Sequence, residues 1–357
     1  MTELAEPGAN APGANLPNAA PLGVSVTGAS ITEGYSALRE RAAWLDLSGR
    51  GKIRVTGEDR ARLLHAMTTN QVEKLQPGEG CYAFFLNAQG RILGDANLFC
   101  FEDHFLLDTE PETHEKLFEH LDRYIIADDV AIEDQTERIC TIAVEGPEAR
   151  ATLNRLNAPI PESPDATAAW HTSAAREVSD ARGPTIVARV SSTGSDGYFL
   201  IAPTGAKAEL IAKLTAAGVV TATPEDAHVV RLEHGHPRYG EEITERYLVQ
   251  ETGQLQAVSF TKGCYLGQEI VERVRSRAQI HRVLRRVEIE SAAVPAQTAT
   301  GLKGSALKSG EAPAGEIVSA VFSPALGKIV ALAYVRTPFA EPGTELSLDD
   351  APARVVA

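Results

Sequence analysis

The stretch Cys81–Asp108, CYAFFLNAQGRILGDANLFCFEDHFLLD, decides the fold class. It divides into three short apolar runs, CYAFFLN, ILGDANLFCF and FLLD, separated by the turn residues AQG and EDH. Runs of strand length broken by Gly, Asn and Asp predict an antiparallel meander. Upstream, GKIRVTG alternates like a strand and leads into EDRARLLHAMTTN, where Leu63, Leu64 and Met67 sit at helical spacing behind acids expected in the first turn. Downstream, ETHEKLFEHLDRYII repeats Leu117, Phe118, Leu121, Tyr124 and Ile125 on one helical face. Strands are expected at VAIED and ICTIAVEG, and a helix at PEARATLNRL with Pro147 in its first turn. The class is therefore mixed α+β.

Residues 157–184 hold NAPIPESPD and SDARGP, with little to bury, and read as a surface linker or long loop. Strands return at TIVARVSS and GYFLIAP, then helices at AKAELIAKLTAAG and PEDAHVVRLEHG. From Val283 onward RVLRRVEIE, GEIVSAVFS, KIVALAYV, TELSL and ARVVA are short strands between Gly and Pro turns, which predicts a closed or nearly closed β-unit. The expected division is a disordered tail over 1–30, a central region over 31–282 and a β-barrel over 283–357. The tail prediction rests on its Ala, Pro, Gly and Asn content and on the first basic residue being Arg39, which fits neither a secretory leader nor a transit peptide.

The 357-residue chain is long enough for two or three domains, and no run approaches the roughly 18 apolar residues of a membrane span. Its formal charge of -14 argues against stable, sequence-independent binding of a nucleic acid duplex. Cys81, Cys100, Cys140 and Cys264 form no CxxC pair, so neither a zinc knuckle nor a disulfide framework is indicated, and a cytoplasmic location is expected.

Two residues stand out chemically. In ILGDANLFCF the period of two places Asp95 on one face with Leu93, Asn97, Phe99 and Phe101. A carboxylate there either meets water at a sheet edge or is buried for function at the cost of a raised pKa. Cys264, in TKGCYLGQE (Thr261–Glu269), is either an inert buried thiol or a reactive one. Gly263 allows close approach or a positive φ, Lys262 would lower the thiol pKa, and YLGQEIVERV can start a helix whose N-terminus favours a thiolate. Lys262, Arg273, Arg275, Arg277, Arg282, Arg285 and Arg286 also concentrate positive charge, either as a solvated face or as a patch for a polycarboxylate or RNA. His234 and His236 lack a third ligand at a recognisable spacing, and no G-x-S-x-G elbow is present.

KGCYLGQE resembles the K-G-C-[FY]-x-G-Q-E motif of the YgfZ family, folate-binding proteins related to the glycine-cleavage T-protein and to a mitochondrial iron-sulfur maturation factor. Lys262, Gly263, Cys264, Tyr265, Gly267, Gln268 and Glu269 all conform. LDLSGRGKIRVTG, YAFFLNAQGRILGD, IAVEGP, TGSDGY, RLEHGHPRYG and VSAVFSPALGKIVALAYV extend a looser T-protein likeness from about Tyr35 to Arg336. The resemblance implies two interleaved α+β folate-binding lobes, a C-terminal β-barrel and a central tetrahydrofolate site. It places Asp95 on the T-protein catalytic aspartate and makes Tyr82, Asp108, Arg231 and Tyr239 folate contacts. Arg91 and Gly94 replace a glycine and an aspartate of the T-protein pattern, and Ser195 replaces a folate-holding glutamate. These departures turn the reading towards the intact cysteine motif: folate-dependent support of iron-sulfur client enzymes, including tRNA-modifying ones, with Cys264 as the functional thiol. A folate-dependent aminomethyl transferase and a non-catalytic folate-sensing adaptor are the alternatives.

Overall fold

The computed structural model describes residues 31–161, 175–180, 183–277, 280–290 and 296–356, so the expected tail over 1–30 lies outside the described residues. In chain order the elements begin with α1 (Glu33–Glu40), β1 (Ala43–Asp46), β2 (Gly51–Thr56), α2 (Arg60–Met67), β3 (Gly80–Leu86), β4 (Ile92–Cys100), β5 (His104–Thr109) and α3 (His114–Tyr124). They continue with β6 (Ala131–Asp134), β7 (Ile139–Glu145), α4 (Ala149–Arg155), β8 (Ala175–Asp180), β9 (Gly183–Ala188), β10 (Gly197–Pro203), α5 (Lys207–Ala216), β11 (Val220–Thr221), α6 (Pro224–Glu233) and α7 (Gln268–Arg277). The last six strands are β12 (Arg282–Ile289), β13 (Ala306–Ser309), β14 (Ala312–Ser323), β15 (Lys328–Arg336), β16 (Glu345–Leu348) and β17 (Ala351–Val356). No helix among the described residues is long and apolar enough to cross a membrane.

The meander forms as expected, within an antiparallel sheet ordered β3-β4-β5-β2-β6. β4 is interior to it, which excludes the edge-strand alternative for Asp95. Leu63, Leu64 and Met67 of α2 and Leu117 and Leu121 of α3 cover one face, packing on Val55, Ala83, Ala96, Leu98 and Leu107. A bulge changes the face arithmetic on β4: Phe85 pairs with Gly94 but Leu86 pairs with Ile92, leaving Leu93 unpaired. Leu93 consequently packs in that helix-covered cluster, whereas Phe99 and Phe101 belong to the cluster on the opposite face. Asp95 therefore does not share its face with Leu93.

A second sheet runs β11-β1-β7-β10-β9-β8, antiparallel except for the parallel β1/β11 pair. Its strands flank β2 to β6 in sequence, so the two lobes are interleaved along the chain. β8 falls inside the expected linker over 157–184, whereas β9 coincides with the start of the expected strand TIVARVSS, and the β8/β9 hairpin extends this sheet because β9 pairs with the apolar β10. Three smaller expectations also shift: α2 has no acid in its first turn, Pro147 lies two residues ahead of α4, and Tyr124 is 38% exposed at the end of α3.

β12 to β17 close into a six-stranded barrel in the order β12-β15-β14-β13-β16-β17, with β12 pairing both β15 and β17. Val287, Ile289, Leu307, Ile317, Ala331, Ala333 and Val355 fill its interior. Glu233, at the end of α6, joins this barrel to the N-terminal helix: it accepts from Tyr35 of α1 at 2.6 Å and from Ser323 of β14 at 2.5 Å.

Candidate functional site

A cavity of about 370 Å³ lies between the two sheets, lined from the first by Tyr82, Asp95 and Asn97 and from the second side by Val190, Ser191, Ser192 and Phe199. α6 contributes His228 and Arg231, three residues apart and so on one helix face. The start of α6 is fixed by a capping box: the Thr223 hydroxyl accepts from the Asp226 N–H, and the Asp226 carboxylate accepts from the Thr223 N–H. The loop over residues 190–193 is shaped by Glu145, whose buried carboxylate accepts from the Ser191 hydroxyl, the Ser192 N–H and hydroxyl, and the Thr193 N–H and hydroxyl. Ser195 stands beyond that cradle and exchanges a 2.8 Å hydrogen bond with the Thr193 hydroxyl.

Asp95 is 6% exposed and accepts from the Tyr82 hydroxyl at 2.6 Å. Burial, aided by the nearby Glu110 carboxylate, pushes its pKa up to about 7 against the opposing effect of Tyr82, Arg50 and Arg238. The Tyr82 hydroxyl is itself driven well above its ordinary value, first by burial and then by Asp95, so it remains a donor. The other carboxylates of the cavity have cationic partners. Glu110 binds Arg50 and, at 2.8 Å, Arg238. Glu241 binds Arg238 at 3.1 Å and Arg231 at 2.6 Å. Asp95 forms no ion pair among the described residues and exchanges a proton near neutrality, which equips it to orient or protonate an amine-bearing ligand.

The expected folate contacts divide. Tyr82, Asp95 and Arg231 meet in the cavity lining, whereas Asp108 and Tyr239 are not part of it. Asp108 is 0% exposed, bound by Arg50 at 2.8 Å, Lys52 at 2.9 Å and the Asn97 amide at 3.1 Å. Those cations outweigh its burial and hold it at about 2. Tyr239 donates to the Ile92 carbonyl at 3.2 Å and packs with Phe84 and Leu86. Arg231 spans Glu241, Glu242 and the His236 carbonyl, so its guanidinium faces the cavity already engaged by carboxylates. Glu110, Arg238, Glu241 and His228 were not singled out from sequence. Glu110 lies two residues beyond Asp108 and Arg238 sits within the quoted RLEHGHPRYG, so period-two spacing at the end of β5 was the available signal.

Cys264 is exposed, while Cys81, Cys100 and Cys140 are buried. It is not among the cavity-lining residues. Its neighbours act differently from expectation. Lys262 is 7% exposed and donates to the carbonyls of His65, Thr68 and Asn70, so it clamps the C-terminal end of α2 instead of serving the thiol. Burial pulls its pKa down to about 8, which leaves the ammonium protonated at neutral pH. Gly263 takes no positive φ, and α7 starts four residues after the cysteine, at Gln268. Tyr265 is buried beneath the loop, with Lys262 Nζ 4.9 Å from its ring centroid. Gly267, at φ +84, is required, since a Cβ there would fall 2.6 Å from the Asn87 carbonyl oxygen. Gln268 donates to the Gly263 carbonyl at 3.4 Å, and Glu269 is exposed. The basic run is largely internal fastening: Arg282 pairs with Glu251, Arg285 and Arg286 donate to the carbonyls of Ala340 and Glu233, and Arg275 covers Phe260.

Comparison with known proteins gives a consistent result. The GCVT N-terminal domain family matches residues 16–262, and the glycine cleavage T-protein C-terminal barrel domain family matches residues 282–357. An aminomethyltransferase of Rubrobacter xylanophilus is 30% identical over 331 residues, covering 92% of this chain and 85% of that protein. A putative chloroplastic transferase of Arabidopsis thaliana is 29% identical over 269 residues, 75% of this chain, and the chain spans 61% of that relative's length. The crystal structure of the glycine cleavage system aminomethyltransferase T from Bartonella henselae matches with a TM-score of 0.76 at 20% identity, over 91% of this chain and 87% of that one, a likeness of fold.

Proposed function

The chain belongs to the glycine cleavage T-protein family, whose members use tetrahydrofolate, and from that premise we propose that it is a tetrahydrofolate-dependent one-carbon transferase with Asp95 at its centre. The observation that carries this reading is a buried carboxylate without a cationic partner among the described residues, facing a ligand-sized cavity and titrating near neutrality. The cavity chemistry fits a folate. Tyr82 and Phe199 offer aromatic surface, and Asp95 offers an acceptor for ring N–H groups. Bound there, tetrahydrofolate supplies the nitrogens that accept a one-carbon unit. Tyr82 fixes the direction of the Asp95 carboxyl, and Asp95 holds or passes a proton at the ligand's amine. Arg238, clamped by Glu110, Glu112 and Glu241, and Arg231, clamped by Glu241 and Glu242, form a preorganised polar wall that stays put when a ligand enters. Asp108 and Tyr239 act behind that wall, Asp108 by holding Arg50 and Tyr239 by anchoring β4.

A second reading is favoured by one observation, the exposed Cys264 in an intact KGCYLGQE loop. It makes the protein a YgfZ-like, cytoplasmic maturation factor for iron-sulfur client enzymes, including those that modify tRNA. A single pair of assays separates the two. With tetrahydrofolate and an aminomethyl thioether donor (R–S–CH2–NH2), the transferase passes the methylene carbon to the folate nitrogens, releasing ammonia and the free thiol without any change of oxidation state, and Asp95→Asn lowers that rate by about 10²-fold or more. Folate binding without turnover, together with a loss of iron-sulfur enzyme activity in cells carrying Cys264→Ala, would reject the transferase in favour of the maturation factor.

A further inference from the structure

The exposed loop that carries Cys264 is joined to the cavity wall by one continuous polar path. Its near side is the last turn of α2 together with the segment that follows it. Lys262 Nζ donates to the carbonyls of His65 at 2.5 Å, Thr68 at 2.7 Å and Asn70 at 2.8 Å. The Leu266 N–H donates to the Ala66 carbonyl, and the Ser259 N–H to the Thr69 carbonyl, each at 2.9 Å. The far side of the same segment is bonded to β3: Thr69 accepts from the Phe84 N–H through its hydroxyl and donates its own N–H to the Phe84 carbonyl. Asn70 closes the path, its amide donating to the Tyr82 carbonyl at 2.9 Å and to the Gln256 carbonyl at 3.0 Å. Tyr82 ends it inside the cavity, on Asp95.

A second feature fixes what lies beside the loop just ahead of the thiol. His65 is 8% exposed, and its Nδ1 accepts from the Glu73 N–H at 3.3 Å, so the neutral ring carries its proton on Nε2. Apart from the adjoining residues Lys262 and Cys264, that Nε2 is the one atom among the described residues within 4 Å of the position a Cβ on Gly263 would occupy, at 3.8 Å, and it makes no hydrogen bond among the described residues. The His65 ring edge thus stands beside Gly263, the residue that precedes Cys264.

We propose that the segment 66–70 couples the two sites, with Asn70 as its positioning residue, so that a ligand in the cavity changes the reactivity of the Cys264 thiol. The inference rests on the folate reading above. A ligand that engages Asp95 competes with the Tyr82 hydroxyl. Because the Tyr82 backbone is bonded to Asn70, and Asn70 to the Cys264 loop, the adjustment of β3 alters the placement of the loop against His65.

The test uses the full chain. Binding of tetrahydrofolate is measured by anaerobic calorimetry, and alkylation of Cys264 by iodoacetamide, in which the thiol loses its proton to solvent and the resulting thiolate displaces iodide, is followed by peptide mass at neutral pH. The buried Cys81, Cys100 and Cys140 serve as internal slow controls. Saturating tetrahydrofolate is expected to change the Cys264 rate by about fivefold or more in the wild type. In Asn70→Ala, which does not line the cavity, the ligand still binds but its effect on the rate falls below about twofold. Binding with an unchanged wild-type rate overturns the coupling and leaves the folate reading intact. No binding overturns both, and a full ligand effect in Asn70→Ala removes Asn70 from the path.

Discussion

At the scale of single residues, Asp95 is expensive for the fold. Its ordinary carboxyl pKa near 3.8 rises to about 7 on folding. The folded state therefore holds this proton more tightly than the unfolded chain. That contribution is complete below about pH 4 and is lost as the pH climbs through 7. Asparagine would keep an oxygen for the Tyr82 hydroxyl while removing the buried charge. Asp95→Asn is therefore expected to flatten stability against pH between about 4 and 8 and to raise stability at pH 8 by roughly 2–4 kcal/mol. Denaturant unfolding of both proteins across that range measures it, and a variant less stable than wild type at pH 8 would show that the carboxylate is better satisfied than its surroundings suggest. A destabilising group kept at the lip of a cavity is what a functional constraint looks like in energetic form.

At the scale of elements, the Cys264 loop is held by a cation placed at the C-terminal end of a helix, where unpaired carbonyls concentrate negative charge. Lys262→Met would leave three carbonyls without this donor. Its expected cost is roughly 2–4 kcal/mol, read as a lower urea midpoint with a largely unchanged m value, and a midpoint equal to wild type would mean that water replaces the ammonium at no cost. This element also shows what sequence could convey. Sequence adjacency makes Lys262 a tuner of its neighbouring thiol, whereas its partners lie nearly two hundred positions back, at the C-terminal end of α2 and just beyond it. The meander and the helices α2, α3, α5 and α6 were legible because their periodicity is local. β9 was legible through the apolar start of TIVARVSS, but its partner β8 was not, since AREVSD has little apolar content and is carried by pairing with β9. Nor was the bulge that turns Leu93 away from Asp95, because one unpaired residue leaves the alternation of ILGDANLFCF looking regular.

At the scale of the molecule, the interleaving of the lobes explains why the candidate site was only partly readable. Asp95 announced itself as a charge in an apolar strand. Asp108, marked out only by the family resemblance, is absorbed behind the wall by Arg50, one residue ahead of β2, and by Lys52 of β2, and nothing in the local sequence distinguishes an absorbed carboxylate from an open one. The cavity draws on both sheets and on α6, so a ligand that fills it touches both lobes and stabilises their mutual arrangement by mass action. α1, α6 and the barrel meet at Glu233, which ties the remaining domain to the same frame. The most direct measurement is anaerobic calorimetric titration of the full chain with tetrahydrofolate, for the wild type and for Asp95→Ala. Saturable binding at one site per chain, weakened about tenfold or more in the variant, is the predicted result. Absence of binding, or equal affinity in the two proteins, would contradict the assignment of this cavity and of Asp95 to folate.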